Sequence, residues 1–176
     1  MRLRDLLGDR KYFYIMHLSY GAGTDEDKEK HWEFGKSSNL IGLDRTDINQ
    51  DWNDLGEDEK ETFRSSNPNW YRQFETFCNK MTKDDIVVVM AGLDSILGIG
   101  LITRHDYFYC PKFKTDRTFF DHVRNISWIT AWDYKSNNRP FLSEPLMIFN
   151  DTLRRVAPNS SFWNAIIDLS WKDSLG

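Results

Sequence analysis

The sequence predicts an α+β domain, a mixed barrel of about five to six strands with flanking helices. Three observations carry that reading. Ile86 to Ala91 (IVVVMA) is a β-branched apolar run. The strand candidates follow one another without long intervening helices. Gly98 and Gly100 sit inside an apolar strand pattern, where glycine marks strong curvature or a close approach. At 176 residues a single domain spanning 1–176 is expected, long enough to bury a core.

The elements are justified in chain order. Tyr12 to Leu18 (YFYIMHL) is an aromatic, apolar strand candidate, and Ser19 to Gly23 is loop by composition. Thr24, with Asp27 three residues on, forms a capping arrangement that opens a helix carrying DEDKEKHWEFGK. Asn39 to Leu43 reads as a second strand, and the polar segment from Asp44 to Glu61 as loop with short turns. Pro68 opens the clearest helix, because Trp70, Phe74, Phe77, Cys78 and Met81 recur at helical spacing. Asp84-Asp85 turns into the Ile86 strand, and Gly92 to Ser95 forms a hairpin-like turn to Ile96–Ile102. An aromatic loop precedes a strand over His122–Ala131. A turn at Asn137–Pro140 and a short strand over Leu146–Phe149 come next. Residues 151–168 then hold one or two short helices broken at Pro158.

Composition narrows the function classes. Aromatic residues reach 15%; core filling absorbs most of them, yet flat rings also stack on planar ligands. A formal charge of −4 argues against a purely electrostatic nucleic-acid binder. Acids concentrate between Thr24 and Glu61, whereas Arg104, Lys112, Lys114, Arg117 and Arg124 form a basic group that permits a local phosphate-facing surface. Cys78 and Cys110 have no CxxC spacing, so free thiols are expected. Charges break every apolar run of the N-terminus, so no signal peptide is expected, the Asn125, Asn150 and Asn159 sequons are read as chance, and the expected compartment is the cytoplasm. His17, His31, His105 and His122 have no metal-ligand spacing, and Gly98-Ile99-Gly100 is neither a P-loop nor a dinucleotide fingerprint. With no GxSxG either, a binding module without cofactor or metal is expected rather than an enzyme.

The order of short motifs adds a resemblance. YFYIMHLS is followed by His31-Trp32-Glu33-Phe34-Gly35, then Asn39-Leu-Ile-Gly-Leu-Asp44. Next come a helix ending in Met81-Thr-Lys-Asp-Asp85-Ile-Val-Val-Val, Leu97-Gly-Ile-Gly-Leu-Ile, and His122-Val-Arg-Asn-Ile-Ser-Trp128. Over residues 12 to 132 this resembles the PUA-like superfamily of EVE and YTH domains, and most of all the N-terminal specificity domain of McrB-type modification-dependent restriction systems. Two positions depart from that pattern: Asp84 stands where relatives commonly have Gly, which alters only the turn, and Leu43 where many have Trp.

The resemblance implies a strongly bent barrel that reads a modified, methylated base flipped out of nucleic acid, DNA before RNA. A separate AAA+ motor and partner nuclease would then act on the marked DNA. Its modified-base pocket maps to Trp32 as leading cage residue or core tryptophan, with Ser19, Tyr20, Phe34, Leu43, Asp44, Trp52, Met90 and Ala91 around it. Trp52 is equally a stacking ring or a loop anchor, and Trp128 is expected in the core. The backbone-contact candidates are Arg104, Lys112, Lys114, Arg117 and Arg124, with Tyr107, Phe108 and Phe119 as wedges or loop pins. The alternatives are an EVE- or YTH-like reader of modified RNA, a small-ligand enzyme and a protein-interaction domain.

Overall fold

The computed structural model describes residues 1–18, 24–43, 45, 47–113, 120–143, 145–146, 151–158 and 160–171. It is an α+β structure built on one curled, mixed sheet, a half-barrel whose strands run β2-β6-β4-β3-β1-β7, with a two-residue β5 joined to β6. The strands are β1 (Phe13–His17), β2 (Leu40–Leu43), β3 (Ile86–Ala91), β4 (Ser95–Ile102), β5 (Phe108–Tyr109), β6 (His122–Ala131) and β7 (Leu153–Val156). Among the described residues only β1 and β3 pair in parallel, and the other pairings are antiparallel. The ladder register shifts at Val89/Met90 and again at Ile99/Gly100. Such bulges increase local twist and curl the sheet.

Among the described residues five α-helices cover the faces: α1 (Leu3–Leu7), α2 (Asp25–Ser38), α3 (Glu57–Ser66), α4 (Pro68–Glu75) and α5 (Ser161–Ile166). The expected capping box opens α2, with Thr24 Oγ1 accepting from the Asp27 N–H at 3.2 Å and the Asp27 carboxylate accepting from the Thr24 N–H at 2.8 Å. Asn39 ends the helix in the left-handed region, φ 56°. Pro68 opens α4 as its sequence position implies, and α4 continues into one wide helical turn, Thr76–Lys80. Asp84 has φ 69°, so the position where the resemblance expects glycine does demand a left-handed residue.

Four elements differ from the sequence reading. Residues 57–66 form α3 rather than loop; the helix buries none of its residues, so no apolar periodicity betrays it. Leu146 is buried outside any strand, and Met147 to Phe149 lie outside the described residues. The last strand is instead β7, inside the stretch expected to be helical, while α5 does follow Pro158, capped by Ser160. The two-residue β5 lies in the segment where the sequence predicts an aromatic loop.

Strand alternation divides the core. Phe13, Ile15, Ile86, Val88, Met90, Ile96 and Ile99 face α1 and α5. Tyr14, Met16, Val87, Val89 and Leu97 share the other face with Trp32 of α2 and Phe74 of α4. At the edge strand β7, the buried Gln73 side-chain oxygen accepts the Leu153 N–H at 2.9 Å. No helix of the described residues is long and apolar enough to cross a membrane.

Candidate nucleic-acid interface

The inward face of α2 carries His31, Trp32 and Gly35. Trp32 is 2% exposed and donates its indole N–H to the Trp132 carbonyl at 2.7 Å. The expected cage residue is therefore a core tryptophan: its one polar atom is spent inside the fold and its ring has no free face. Trp128, expected in the core, is the half-buried member of the pair. Its ring meets Trp32 edge-on at 5.2 Å. Its own Nε1 is shielded and has no partner among the described residues. Gly98 makes the arrangement possible, since a Cβ there would stand 2.8 Å from Trp32 and 3.0 Å from Trp128. The sequence signal at that glycine thus marks a close approach by side chains.

The described residues do not bring the rest of the expected pocket together. Met90 is fully buried on the opposite face of the sheet, against α1 and α5. Leu43 is buried opposite His122, at the start of β6, whereas Ala131 beside Gly98 is at its end; a ten-residue strand separates those ends by ~30 Å. Trp52 is a loop anchor: fully buried, it stacks on Phe74 at 5.0 Å and donates to Glu75 at 2.7 Å. Phe34 packs against Phe113 and Phe120. Ala91 alone of the set is half-buried near the Trp128 end, and Ser19, Tyr20 and Asp44 lie outside the described residues.

The basic group divides as well. Arg124 is fully buried and cannot meet a phosphate. Its guanidinium donates to the Phe77 carbonyl, to Cys78 at 3.0 Å and to His105 at 2.8 Å. The cation therefore satisfies carbonyls that end the wide helical turn and those of the loop after β4. Burial lowers its pKa. Arg104 and Lys112 are exposed, while Lys114, Arg117 and Phe119 lie outside the described residues. Tyr107 is a loop pin, stacked on His122 at 5.9 Å and bonded to Asp51. Phe108 is at the boundary of exposure and faces Phe113. Neighbouring groups are sealed: His122 is buried with Nδ1 2.8 Å from Asp121, and burial raises the Cys78 thiol.

Sequence reading missed a cluster just beyond β6. The Arg139 guanidinium carbon lies 5.6 Å from the Tyr134 ring centroid and 5.5 Å from that of Phe141. Phe141 is 54% exposed. The segment is fixed to the start of β4 by the Ser95–Phe141 bridge and the Ile96 N–H to Pro140 carbonyl bond. The available signal is an arginine flanked by aromatics, in the segment where the sequence predicts only a turn. Around it the charges are paired, Lys36 with Glu33 and Asp133, and Lys135 with Glu29. At the end of β1, burial depresses the His17 pKa to about 4, with the Arg154 charge adding to the effect. What this end of the sheet offers is planar stacking surface; among the described residues no cluster could hold a metal ion.

Residues 18–147 match the family described as a domain of unknown function, DUF8426. The chain belongs to that family. The match contains α2 and the strands β2 to β6, and so both Trp128 and the Arg139 cluster. No curated protein and no solved structure matches the chain.

Proposed function

We propose that this DUF8426 chain is a PUA-like module that recognises a modified base, methylated in the first instance, in DNA before RNA. In this reading it serves a modification-dependent restriction system whose AAA+ motor and nuclease are carried elsewhere, and it performs no catalysis itself. The observation that carries the reading is the half-buried Trp128 ring, braced edge-on by the immobile Trp32 above Gly98. The curled half-barrel with a helix between its first two strands supports the fold assignment, and the order of sequence motifs supports the restriction context.

The energetics fit. Flipping a base costs a few kcal/mol. Stacking on one aromatic plane returns ~1–3 kcal/mol. A ring already held by an edge-to-face partner, itself worth ~0.5–1.5 kcal/mol, loses little freedom when a base arrives. Trp32 is thus the brace and Trp128 the platform, with Phe141 and Arg139 as a second stacking surface for a flanking nucleotide.

The test is anisotropy titration of methylated and unmodified duplex DNA and of methylated single-stranded RNA. Trp128→Ala should weaken binding to the methylated duplex by about 5- to 150-fold, the equivalent of one stacked base. Near-ultraviolet dichroism reports whether the variant is folded. Equal affinity for methylated and unmodified duplex, or a folded Trp128→Ala variant that binds as wild type, overturns the reading; preference for the RNA moves it to the EVE- and YTH-like alternative.

A further inference from the structure

The opposite end of the sheet has a different chemistry. β1 and β3 begin there, and the antiparallel β4 and β7 end there. Each of these four neighbouring strands brings an exposed cation. Arg155 lies on β7, Arg10 and Lys11 precede β1, Lys83 stands in the turn before β3, and Arg104 follows β4. The join is tight, because the Asp84 N–H donates to the Ile102 carbonyl at 2.8 Å and the Arg155 guanidinium sits 3.9 Å over the Tyr12 ring. Adjacent strands are ~4.8 Å apart, so the row spans ~14 Å across β7, β1, β3 and β4.

Arg155 lies over the Tyr12 ring and Arg10 donates to the Leu6 carbonyl at 3.4 Å, contacts that leave the positive charge in place. Among the described residues none of the five forms a salt bridge, in contrast to Lys28, Lys30, Lys36, Arg45, Arg64, Arg72 and Lys135. Asp85, the buried acid at this end, turns inward and accepts the Thr82 N–H at 2.7 Å. Asp9, Asp84 and Asp106 are the exposed acids flanking the row, leaving cations in excess on a chain whose formal charge is −4.

We propose that this basic row is a docking surface for the phosphate backbone of nucleic acid, independent of base modification. A periodic polyanion is the partner that suits charges fixed at strand spacing, since a duplex presents one phosphate per ~3.4 Å of axis on each strand. The Trp128 ring lies over Gly98, four residues or ~13 Å along β4 from the end that carries the row. One duplex turn of ~34 Å laid along the strands would therefore reach both the Trp128 ring and the basic row. The inference rests on the proposed nucleic-acid reading for the identity of the polyanion, and on the row itself for the site.

The test is the salt dependence of binding to an unmodified duplex. Each phosphate contact adds ~0.9 to the slope of log K against log salt. The triple variant Lys11→Ala/Lys83→Ala/Arg104→Ala should flatten the wild-type slope by about 2 to 3. Lys60→Ala/Arg64→Ala, on the remote α3, should leave it unchanged. Loss of slope in the triple variant upholds the row even if methylated and unmodified duplexes bind equally, an outcome that would sink only the base-reading proposal. An unchanged slope in a folded triple variant overturns the inference. So does retention of anionic lipid vesicles, but not duplex, by the wild-type protein.

Discussion

Lowering the pH from 7.5 to 5 should destabilise the fold steeply, because two imidazoles are buried in the neutral form. His17 at the end of β1 is 2% exposed and His31 in α2 is 8% exposed. Burial moves each from an ordinary value of 6.5 to about 4 in the folded chain. The depressed folded value means that the unfolded chain takes up protons first. Stability is therefore fully present above pH 6.5 and is lost as the pH falls toward 4. At pH 5 the unfolded chain binds nearly one proton per imidazole and the folded chain about a tenth of one, a loss of ~2 kcal/mol for each group. The two sites are on separate elements, so their effects add to ~4 kcal/mol, a large share of the ~5–15 kcal/mol typical of a domain. The ordinary aspartate value, 3.8, lies below this window. Urea unfolding followed by tryptophan fluorescence at half-unit pH steps measures the effect. A midpoint that stays constant between pH 7.5 and 5 would refute the reasoning, as would a His17→Gln/His31→Gln variant that keeps the wild-type slope.

Two substitutions test the packing around the candidate interface. Arg124→Met should cost ~3 kcal/mol or more in urea unfolding, because it strands the carbonyls of Phe77, Cys78 and His105 in the interior; wild-type stability with weakened DNA binding would restore the phosphate role that its burial removes. Gly98→Ala should destabilise by ~1–3 kcal/mol and shift the near-ultraviolet tryptophan signal, since the new methyl meets both indoles; an unaltered signal would mean that the Trp32–Trp128 pair is not in contact.

The legible parts of the fold are those in which one residue type has one physical use. Pro68 can only open a helix, Ile86–Ala91 suits a strand buried on both faces, and Thr24 with Asp27 closes a capping box. α3 escaped because a helix that buries nothing leaves no periodic trace. β7 escaped because Arg154 and Arg155 occupy its centre, where an edge strand tolerates charges that an inner strand would exclude. The candidate site was harder to read. Sequence position cannot say which of two tryptophans, 96 residues apart and packed on the same glycine, keeps a face to solvent. Nor can it separate Arg124, whose neighbours on β6 look as polar as those of a surface arginine, from the exposed Arg104. Both distinctions arise from contacts between distant segments, and only the folded chain holds those.

The amide that Gln73 engages on β7 has a consequence for self-association. The Leu153 N–H points away from β1 on the edge strand of an open sheet, and an unclaimed donor there would invite a strand from another molecule. A glutamine from α4 fills that role within the chain, so sheet growth is terminated by the molecule's own side chain, with two arginines standing guard beside it.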